Sequence, residues 1–405
     1  MNNGLPIKPL QSLCDDFKQD IVDGPFGSEL QRKDYIARGV PVLKIQNVKP
    51  FSIELKKMDY VSPAKFKELR RHSYRRGDIV MTKLGSPLGA SAIVEDIDDG
   101  LIVADLVRIR AQRINSRFLC YHLNSQRTND FINSMQKGTT RPRVTLSVVR
   151  ELPIFVPSPN EQRRIVGILD EAFEGIATAK ANAEKNLQNA RAIFESYLRS
   201  VFAEAWRMCQ LVKLSDLASD ITDGDHLPPP KSPNGVPFIT IGNIVKQTRT
   251  IDFGDTFMVP HSYFNALRPN KRPRTGDVLY TVTGSFGIPV IVGENFTFCF
   301  QRHIGLIRPK SETSSKWLYY LLLSPQISKQ ASDGATGTAQ KTVSLKLLRS
   351  FEVPKVALKA QQKVVAKLDA LSAETERLES IYQQKVTGLE ALKKSLLHQA
   401  FTGNL

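Results

Sequence analysis

Long apolar runs are missing from this sequence. Nowhere do about 18 apolar residues follow one another, so no helix is expected to span a bilayer. The opening stretch, Met1 to Leu13, lacks the basic segment and apolar run of a secretory signal. Cysteine is scarce. Cys14, Cys120, Cys209 and Cys299 stand roughly 90 residues apart, a spacing that builds neither a zinc site nor a disulfide framework. Acidic residues are outnumbered, 40 against 56 Lys and Arg, which leaves a net charge of +16. The absences describe a cytoplasmic, reduced protein with no membrane segment. The charge asks for a polyanionic partner, nucleic acid before others. A chain of 405 residues suggests two or three domains. A composition 41% hydrophobic and 24% charged excludes disorder over the whole chain.

The sequence repeats itself. Gly39-Val40-Pro41-Val42-Leu43-Lys44-Ile45-Gln46-Asn47-Val48 matches Gly235-Val236-Pro237-Phe238-Ile239-Thr240-Ile241-Gly242-Asn243-Ile244. Arg76-Gly77-Asp78-Ile79-Val80 matches Thr275-Gly276-Asp277-Val278-Leu279, Gly85-Ser86 matches Gly284-Ser285, and Gly138-Thr139 matches Gly337-Thr338. Gln162, Val166, Leu169, Asp170, Ser196, Leu198 and Phe202 match Gln361, Val365, Leu368, Asp369, Ser395, Leu397 and Phe401. From Arg76 to Phe202 the main matches hold an offset of 199, and the earlier block an offset of 196. A register kept over that distance means a duplicated unit.

Each copy has two parts. Residues 1–159 and 203–358 mix short β-like runs with turns. Val40–Val48, Asp78–Lys83, Leu101–Arg110, Val236–Ile244, Asp277–Thr283 and His303–Arg308 read as strands, and Arg117–Ser134 and Ser315–Gln330 as helices. The predicted class is α+β. Residues 160–202 and 359–405 are different: up to Phe202 and Phe401 they contain no proline and only Gly167, Gly175 and Gly388. Apolar residues recur in steps of three and four at Ile165, Leu169, Ala172, Ile176, Ala179, Ala183, Leu187, Ala190, Phe194, Tyr197 and Val201. The second stretch repeats this less strictly at Val364, Leu368, Leu371, Leu378, Tyr382, Leu389, Leu392 and Leu396. Both are expected to be helices with a coiled-coil seam, each on the order of 60 Å long. The first helix carries the chain from one globular domain to the other. A paired second helix must therefore run back, antiparallel, in a pseudo-twofold arrangement with two similar globular domains separated by the helices. Leu169, Ile176, Ala183 and Leu187 are expected to face the second helix, with Phe401 near the first domain and Phe202 near the second.

Charge separates the parts. Residues 1–159 carry a net +8, 160–202 zero, 203–358 +6 and 359–401 +2. The globular domains are therefore expected to hold the polyanion. Their cations cluster at Arg70, Arg71, Arg75 and Arg76, at Lys137, Arg141 and Arg143, and at Arg268, Lys271, Arg272 and Arg274. Lys83 and Lys341 complete the candidate DNA contacts. Aligned positions differ between the copies: Lys83 faces Val282, and Arg141-Pro142-Arg143 faces Gln340-Lys341-Thr342. One scaffold with two reading surfaces would look like this.

Catalytic motifs are not found. Gly334-Ala-Thr-Gly337-Thr-Ala-Gln340-Lys341-Thr342 lacks the P-loop glycine before its lysine and follows a helical stretch. Asp223-Gly-Asp225-His226 reads as a turn before Pro228-Pro-Pro230, not a metal site. There is no Asn-Pro-Pro-aromatic methyltransferase motif, no Rossmann glycine loop and no His-Glu-x-x-His. Neither catalysis nor a bound cofactor or metal is expected of this chain.

The order domain, helix, domain, helix resembles the specificity subunit of type I DNA restriction-modification enzymes. So do the strand leading to Asn47 and Asn243, the Gly-Asp turns, the Gly-Thr loops, and the segments Pro157 to Gln162 and Pro354 to Gln361. The resemblance implies two target-recognition domains reading the halves of a bipartite, asymmetric site on double-stranded DNA. It implies helices that set the gap and dock two methylation subunits. Those partners would bind S-adenosylmethionine and methylate adenine, and restriction subunits, where present, would cleave. The alternative is a regulatory DNA-binding protein with no methyltransferase partner.

Overall fold

The computed structural model describes residues 6–138, 140–226, 229–338, 340–402 and 405. Residues 1–5 of the opening stretch, Thr139 of the first Gly-Thr pair and Pro228 of the proline-rich loop lie outside them. The chain divides into two compact units, Met1–Glu184 with Gln383–Leu405, and Lys185–Tyr382. The division falls inside both long helices and not at their ends, because each helix end is packed into a globular part.

In the first unit a four-stranded antiparallel sheet runs in the order Ser91–Ile93, Ile79–Thr82, Leu106–Ile109, Ile21–Asp23. A five-stranded sheet, Tyr35–Ile36, Asp59–Val61, Val40–Leu43, Gly100–Ile102 and Ser73–Tyr74, contains one parallel pair, Val40–Leu43 with Gly100–Ile102. The second unit repeats both. Its four-stranded sheet is Ala218–Asp223, Ile304–Pro309, Val278–Thr281, Pro289–Ile291, and its three-stranded sheet pairs Val236–Ile239 parallel with Cys299–Phe300. Ile79–Thr82 is buried at every position because its sheet has a core on both faces. Ile79 and Met81 join the core that includes the helices, and Val80 joins Leu43, Tyr74 and Ala92.

Several runs read as single elements are divided. Val40–Val48 ends its strand at Leu43 and turns through Ile45–Asn47, and Val236–Ile244 ends its strand at Ile239 and turns through Ile241–Asn243, because Asn47 and Asn243 accept from the N–H of Lys44 and Thr240. Leu101–Arg110 contributes to two strands in different sheets, Gly100–Ile102 and Leu106–Ile109. Arg117–Ser134 spans two helices, Ser116–Leu123 and Gln126–Met135, because Ser125 caps the second by accepting from Thr128 N–H. Ser324 does the same for Pro325–Gly334, which follows Ser315–Leu322. A serine oxygen satisfies a free N–H of the new helix and stops the old one.

The long helices are Pro159–Met208 and Leu358–Thr402. In the first unit the start of one lies against the end of the other: Ile165 and Leu169 share a core with Leu397, Ala400 and Phe401, and Lys180 Nζ meets Glu390 Oε1 at 2.5 Å. Phe401 packs 5.3 Å from Phe118 and 4.8 Å from the His122 ring. In the second unit Leu198 and Phe202 share a core with Val365 and Leu368, Arg191 Nε meets Glu379 Oε1 at 2.8 Å, and Phe202 packs 5.0 Å from Trp317. The helices are antiparallel in both. Ile176 and Ala183 are buried and Leu187 half-buried, as the seam requires. Leu392 departs from the expected stripe and is 47% exposed. Lys393 takes the inward place, its ammonium 4.8 Å over Phe51 and 4.6 Å over Phe173. A lysine stem covers apolar surface while its charge meets the ring faces.

The matched polar residues fasten each globular part to its helix. Gln162 Oε1 accepts from Asn115 N–H at 2.9 Å and its amide donates to Pro157 O at 2.9 Å. Gln361 accepts from Ser314 N–H at 2.8 Å and donates to Val356 O at 2.8 Å. Asp170 accepts from Tyr121 and from Arg117 Nε, and Asp369 from Tyr320 and Lys316 Nζ.

His122 makes the first unit sensitive to acid. It is fully buried, its Nε2 accepting from Phe155 N–H at 3.0 Å and its Nδ1 3.1 Å from Thr128 Oγ1. Burial, and then the charge of Arg127, push its pKa down to about 3. The unfolded ring takes a proton near pH 6.5 and the native ring does not, so stability is complete above that pH and falls as the pH drops toward 3. The expected slope from this residue is about 1.4 kcal/mol per pH unit once the pH is well below 6.5. Urea denaturation at pH 7 and pH 5 checks it, and His122→Gln should flatten the dependence. The matching position in the second unit is the buried Leu321, so that unit lacks this contribution.

Candidate nucleic-acid interface

Four loops of the first unit meet: residues 23–27, 83–87, 103–105 and the described residues among 137–143. Lys83 N–H donates to Asp105 O at 3.0 Å, Gly85 N–H to Pro142 O at 2.9 Å, and Val144 N–H to Lys83 O at 2.9 Å. Lys137 and Arg143 exchange backbone bonds of 2.9 and 3.0 Å. The second unit builds the same cluster. Val282 N–H donates to His303 O at 2.9 Å, Gly284 N–H to Lys341 O at 3.0 Å, and Val343 N–H to Val282 O at 2.8 Å, while Thr336 and Thr342 exchange bonds of 3.0 and 2.7 Å.

The residues shared by the copies hold this framework. Gly337 has φ +109°, and a Cβ there would lie 2.3 Å from Gln340 O, so only glycine closes the loop. A Cβ on Gly24 would stand 2.1 Å from Val103 C, and one on Gly224 1.9 Å from Phe300 O, which explains the glycine after Asp23 and Asp223. Asp78 is buried and accepts from Arg75 N–H at 3.0 Å and from Arg110 at 2.7 and 2.6 Å. Asp277 accepts from Arg274 N–H at 2.8 Å and from Arg308 at 3.0 and 2.8 Å. Asn47 accepts from Lys44 N–H at 3.0 Å and donates to Glu54 O at 2.9 Å, and Asn243 accepts from Thr240 N–H at 2.9 Å and donates to Asp255 O at 2.9 Å. Each spans a turn and leaves little for a ligand.

The candidate cations fall into different places. Lys137, Arg141 and Arg143 are exposed together on the first loop cluster, where Arg141 Nη2 stands 3.4 Å from Asp105 Oδ2. Lys83 belongs to that cluster by backbone, but its ammonium is 2.5 Å from Asp23 and both side chains are largely buried. Arg70, Arg71 and Arg75 line a separate open cleft of about 530 Å³ with Arg108 and Arg110. Arg76 borders another, of about 770 Å³, whose wall of Glu95, Asp96, Asp98 and Asp99 opposes a polyanion. In the second unit Lys341 is exposed on the loop cluster, and Arg268 and Arg274 are exposed outside it. Lys271 Nζ donates to Gly224 O at 3.0 Å and lies 3.8 Å from the carboxylates of Asp223 and Asp225. Arg272 donates from Nε to Leu267 O at 3.0 Å and from Nη2 to Asn265 O at 2.5 Å, and lies over the Phe264 ring. The donors of Lys83, Lys271 and Arg272 are thus engaged within the fold.

The two stretches set aside as catalytic motifs have other uses. Asp223 accepts from His226 Nε2 at 2.8 Å and Asp225 accepts from Tyr263. Gly334 ends the helix Pro325–Gly334, and beyond it Thr336 and Thr342 exchange the backbone bonds already given. Burial pushes the Cys14, Cys120 and Cys299 thiols up to about 12, so they are not poised as nucleophiles.

Charge alone missed a weakly charged cleft in the second unit. It encloses about 600 Å³ and is lined by Lys246, Thr283, Ser285, Gln301, His303 and Gln340, with small and aliphatic residues between them. Its one available signal was the alignment of Arg141-Pro142-Arg143 with Gln340-Lys341-Thr342. In the folded units Asp105 and Arg141 occupy the backbone positions of His303 and Gln340.

Comparison with known proteins agrees with this organisation. The family model described as the type I restriction modification DNA specificity domain matches residues 93–188 and 210–387. A putative type I restriction enzyme MjaX specificity subunit from Methanocaldococcus jannaschii is 23% identical over 397 residues, covering 93% of this chain and 89% of that protein. The MjaVIII specificity subunit of the same organism is 23% identical over 332 residues, covering 76% and 74%. Among solved structures, a chain from a type I R-M system studied for complex assembly and conformational transition superposes with a TM-score of 0.77 at 20% identity, covering 100% of this chain and 99% of that one. The HsdS subunit from Thermoanaerobacter tengcongensis gives 0.61 at 20% identity, covering 100% and 98%. With the family model matching most of the chain in two segments, one in each copy of the repeat, this protein belongs to the type I restriction-modification DNA specificity family.

Proposed function

We propose that the chain is the DNA-reading specificity subunit of a type I restriction-modification complex. Each unit reads one half of a bipartite, asymmetric site on double-stranded DNA. The long helices dock two methylation subunits, which bring S-adenosylmethionine and the methyl-transfer chemistry, and restriction subunits where the complex carries them. The chain itself contributes recognition and no catalytic group, and works in the cytoplasm. One observation carries the reading: the two units build the same loop cluster and present unlike side chains on it, Asp105 with Arg141 in one and His303 with Gln340 in the other. Unlike readers on a shared frame recognise unlike half-sites. The reading of a regulator without methylation partners gains nothing from the family match.

The test is co-expression with methylation subunits followed by sequencing of methylated adenines. The expected product is one non-palindromic motif in two parts, and a palindromic motif would overturn the reading. The cation placements make a second prediction. Lys341→Ala should lower the slope of log affinity against log salt by about one, weakening all duplexes alike. Lys271→Ala should leave the slope unchanged, since its ammonium is already bonded within the fold. Anisotropy titrations between about 50 and 200 mM salt separate the two.

A further inference from the structure

The weakly charged cleft of the second unit deepens the functional reading and rests on it. Among the described residues no hydrogen-bond partner is found for the side chains of Ser285, Gln301, His303 or Gln340, all of which line the cleft. Among the described residues of the lining, Lys246 is the one that carries a charge. His303 is held below the usual imidazole range by burial and then by the charges of Arg302 and His226, so the ring faces the cleft neutral near pH 7. The surface therefore offers paired donors and acceptors with almost no charge. That chemistry suits base edges better than phosphates, which call for cations. Each glutamine carries one acceptor and one donor group, which complement N6–H and N7 of adenine in the major groove, while guanine presents two acceptors there and favours arginine. The corresponding positions of the first unit, Val103, Asp105 and Arg141, lack that amide pair.

We infer that this cleft is the base-reading surface of the second unit and that Gln301 and Gln340 read the major-groove edge of an A·T pair in its half-site, with Lys246 toward the flanking phosphates.

The experiment uses the full chain co-expressed with methylation subunits. The methylated motif is read for wild type and for Gln301→Ala, Gln340→Ala, Gln340→Glu and Lys246→Ala. Exchange of residues 203–358 for a relative's domain identifies the half-site that belongs to the second unit. At least one alanine variant should lose roughly tenfold to hundredfold preference for an A·T pair in that half, with the other half unchanged. Gln340→Glu should move the preference toward a position offering cytosine N4–H. Lys246→Ala should weaken all sequences alike. Because Gln301 and Gln340 lie on different loops, failure of one variant to accumulate leaves the other as the test. The inference is overturned if both alanine variants keep the full wild-type motif, or if stringency is lost only in the other half. A wild-type complex that selects no motif sinks the functional reading itself, a result distinct from either.

Discussion

Replacing Asp277 with alanine is expected to destabilise the second unit by about 3–5 kcal/mol. The carboxylate is buried, 3% exposed, and holds Arg308, 14% exposed, through two charge-assisted hydrogen bonds. Removing it strands a guanidinium with little access to water and also frees Arg274 N–H, which it accepts at 2.8 Å. The penalty for an uncompensated buried charge exceeds what the intact pair contributes, which is why the single substitution is so damaging. Asp78→Ala should do the same in the first unit with a smaller effect, because Arg110 is 22% exposed and better able to recover hydration. Urea denaturation of the two variants checks the size and the order, and a cost below about 1 kcal/mol for Asp277→Ala would contradict the buried-pair argument.

Phe401→Ala is expected to cost the first unit about 3–5 kcal/mol. The ring is 1% exposed and sits against Phe118 and His122, in the same core as Ile165 and Leu169. Its removal leaves a void lined by residues from the globular part and from both helices, so the second helix should detach from its end inward. Hydrogen exchange should quicken over residues near 396–402 before it quickens in the strands of the first unit. Phe202→Ala should have the corresponding effect in the second unit, where the ring packs on Trp317. Uniform loosening of both units by either change would contradict the local account.

Much of the fold was legible because the repeat preserves residues that hold backbone. Gly24 and Gly224 touch a neighbouring chain segment, Asn47 and Asn243 span the same turn, Asp78 and Asp277 grip an arginine, and Gln162 and Gln361 tie a helix to its domain. Duplication exposes such residues without showing what each does. Breaks inside apolar runs stayed hidden: nothing in the hydrophobicity of Leu101–Arg110 says that the chain crosses from one sheet to another. Leu392 and Lys393 changed places on the seam because aromatic faces accept an ammonium, a tertiary fact with no periodicity.

The interface was less legible for a physical reason. Counting cations finds every lysine and arginine, including Lys83, Lys271 and Arg272, whose donors serve the fold. It passes over Gln301, His303 and Gln340, which add no charge and sit on loops that are distant in sequence. Only the alignment of Arg141-Pro142-Arg143 with Gln340-Lys341-Thr342 pointed toward Gln340, and nothing in the sequence singled out Gln301 or His303.

We propose that the two units, built on one framework, read different half-sites independently. Exchanging residues 1–159 for the corresponding domain of a relative, and sequencing the methylated motif of the reassembled complex, tests it most directly. One half-site is expected to be rewritten and the other kept, with mismatches in opposite halves adding, each at a cost of about 1–3 kcal/mol. A motif rewritten in both halves by that single exchange would contradict it.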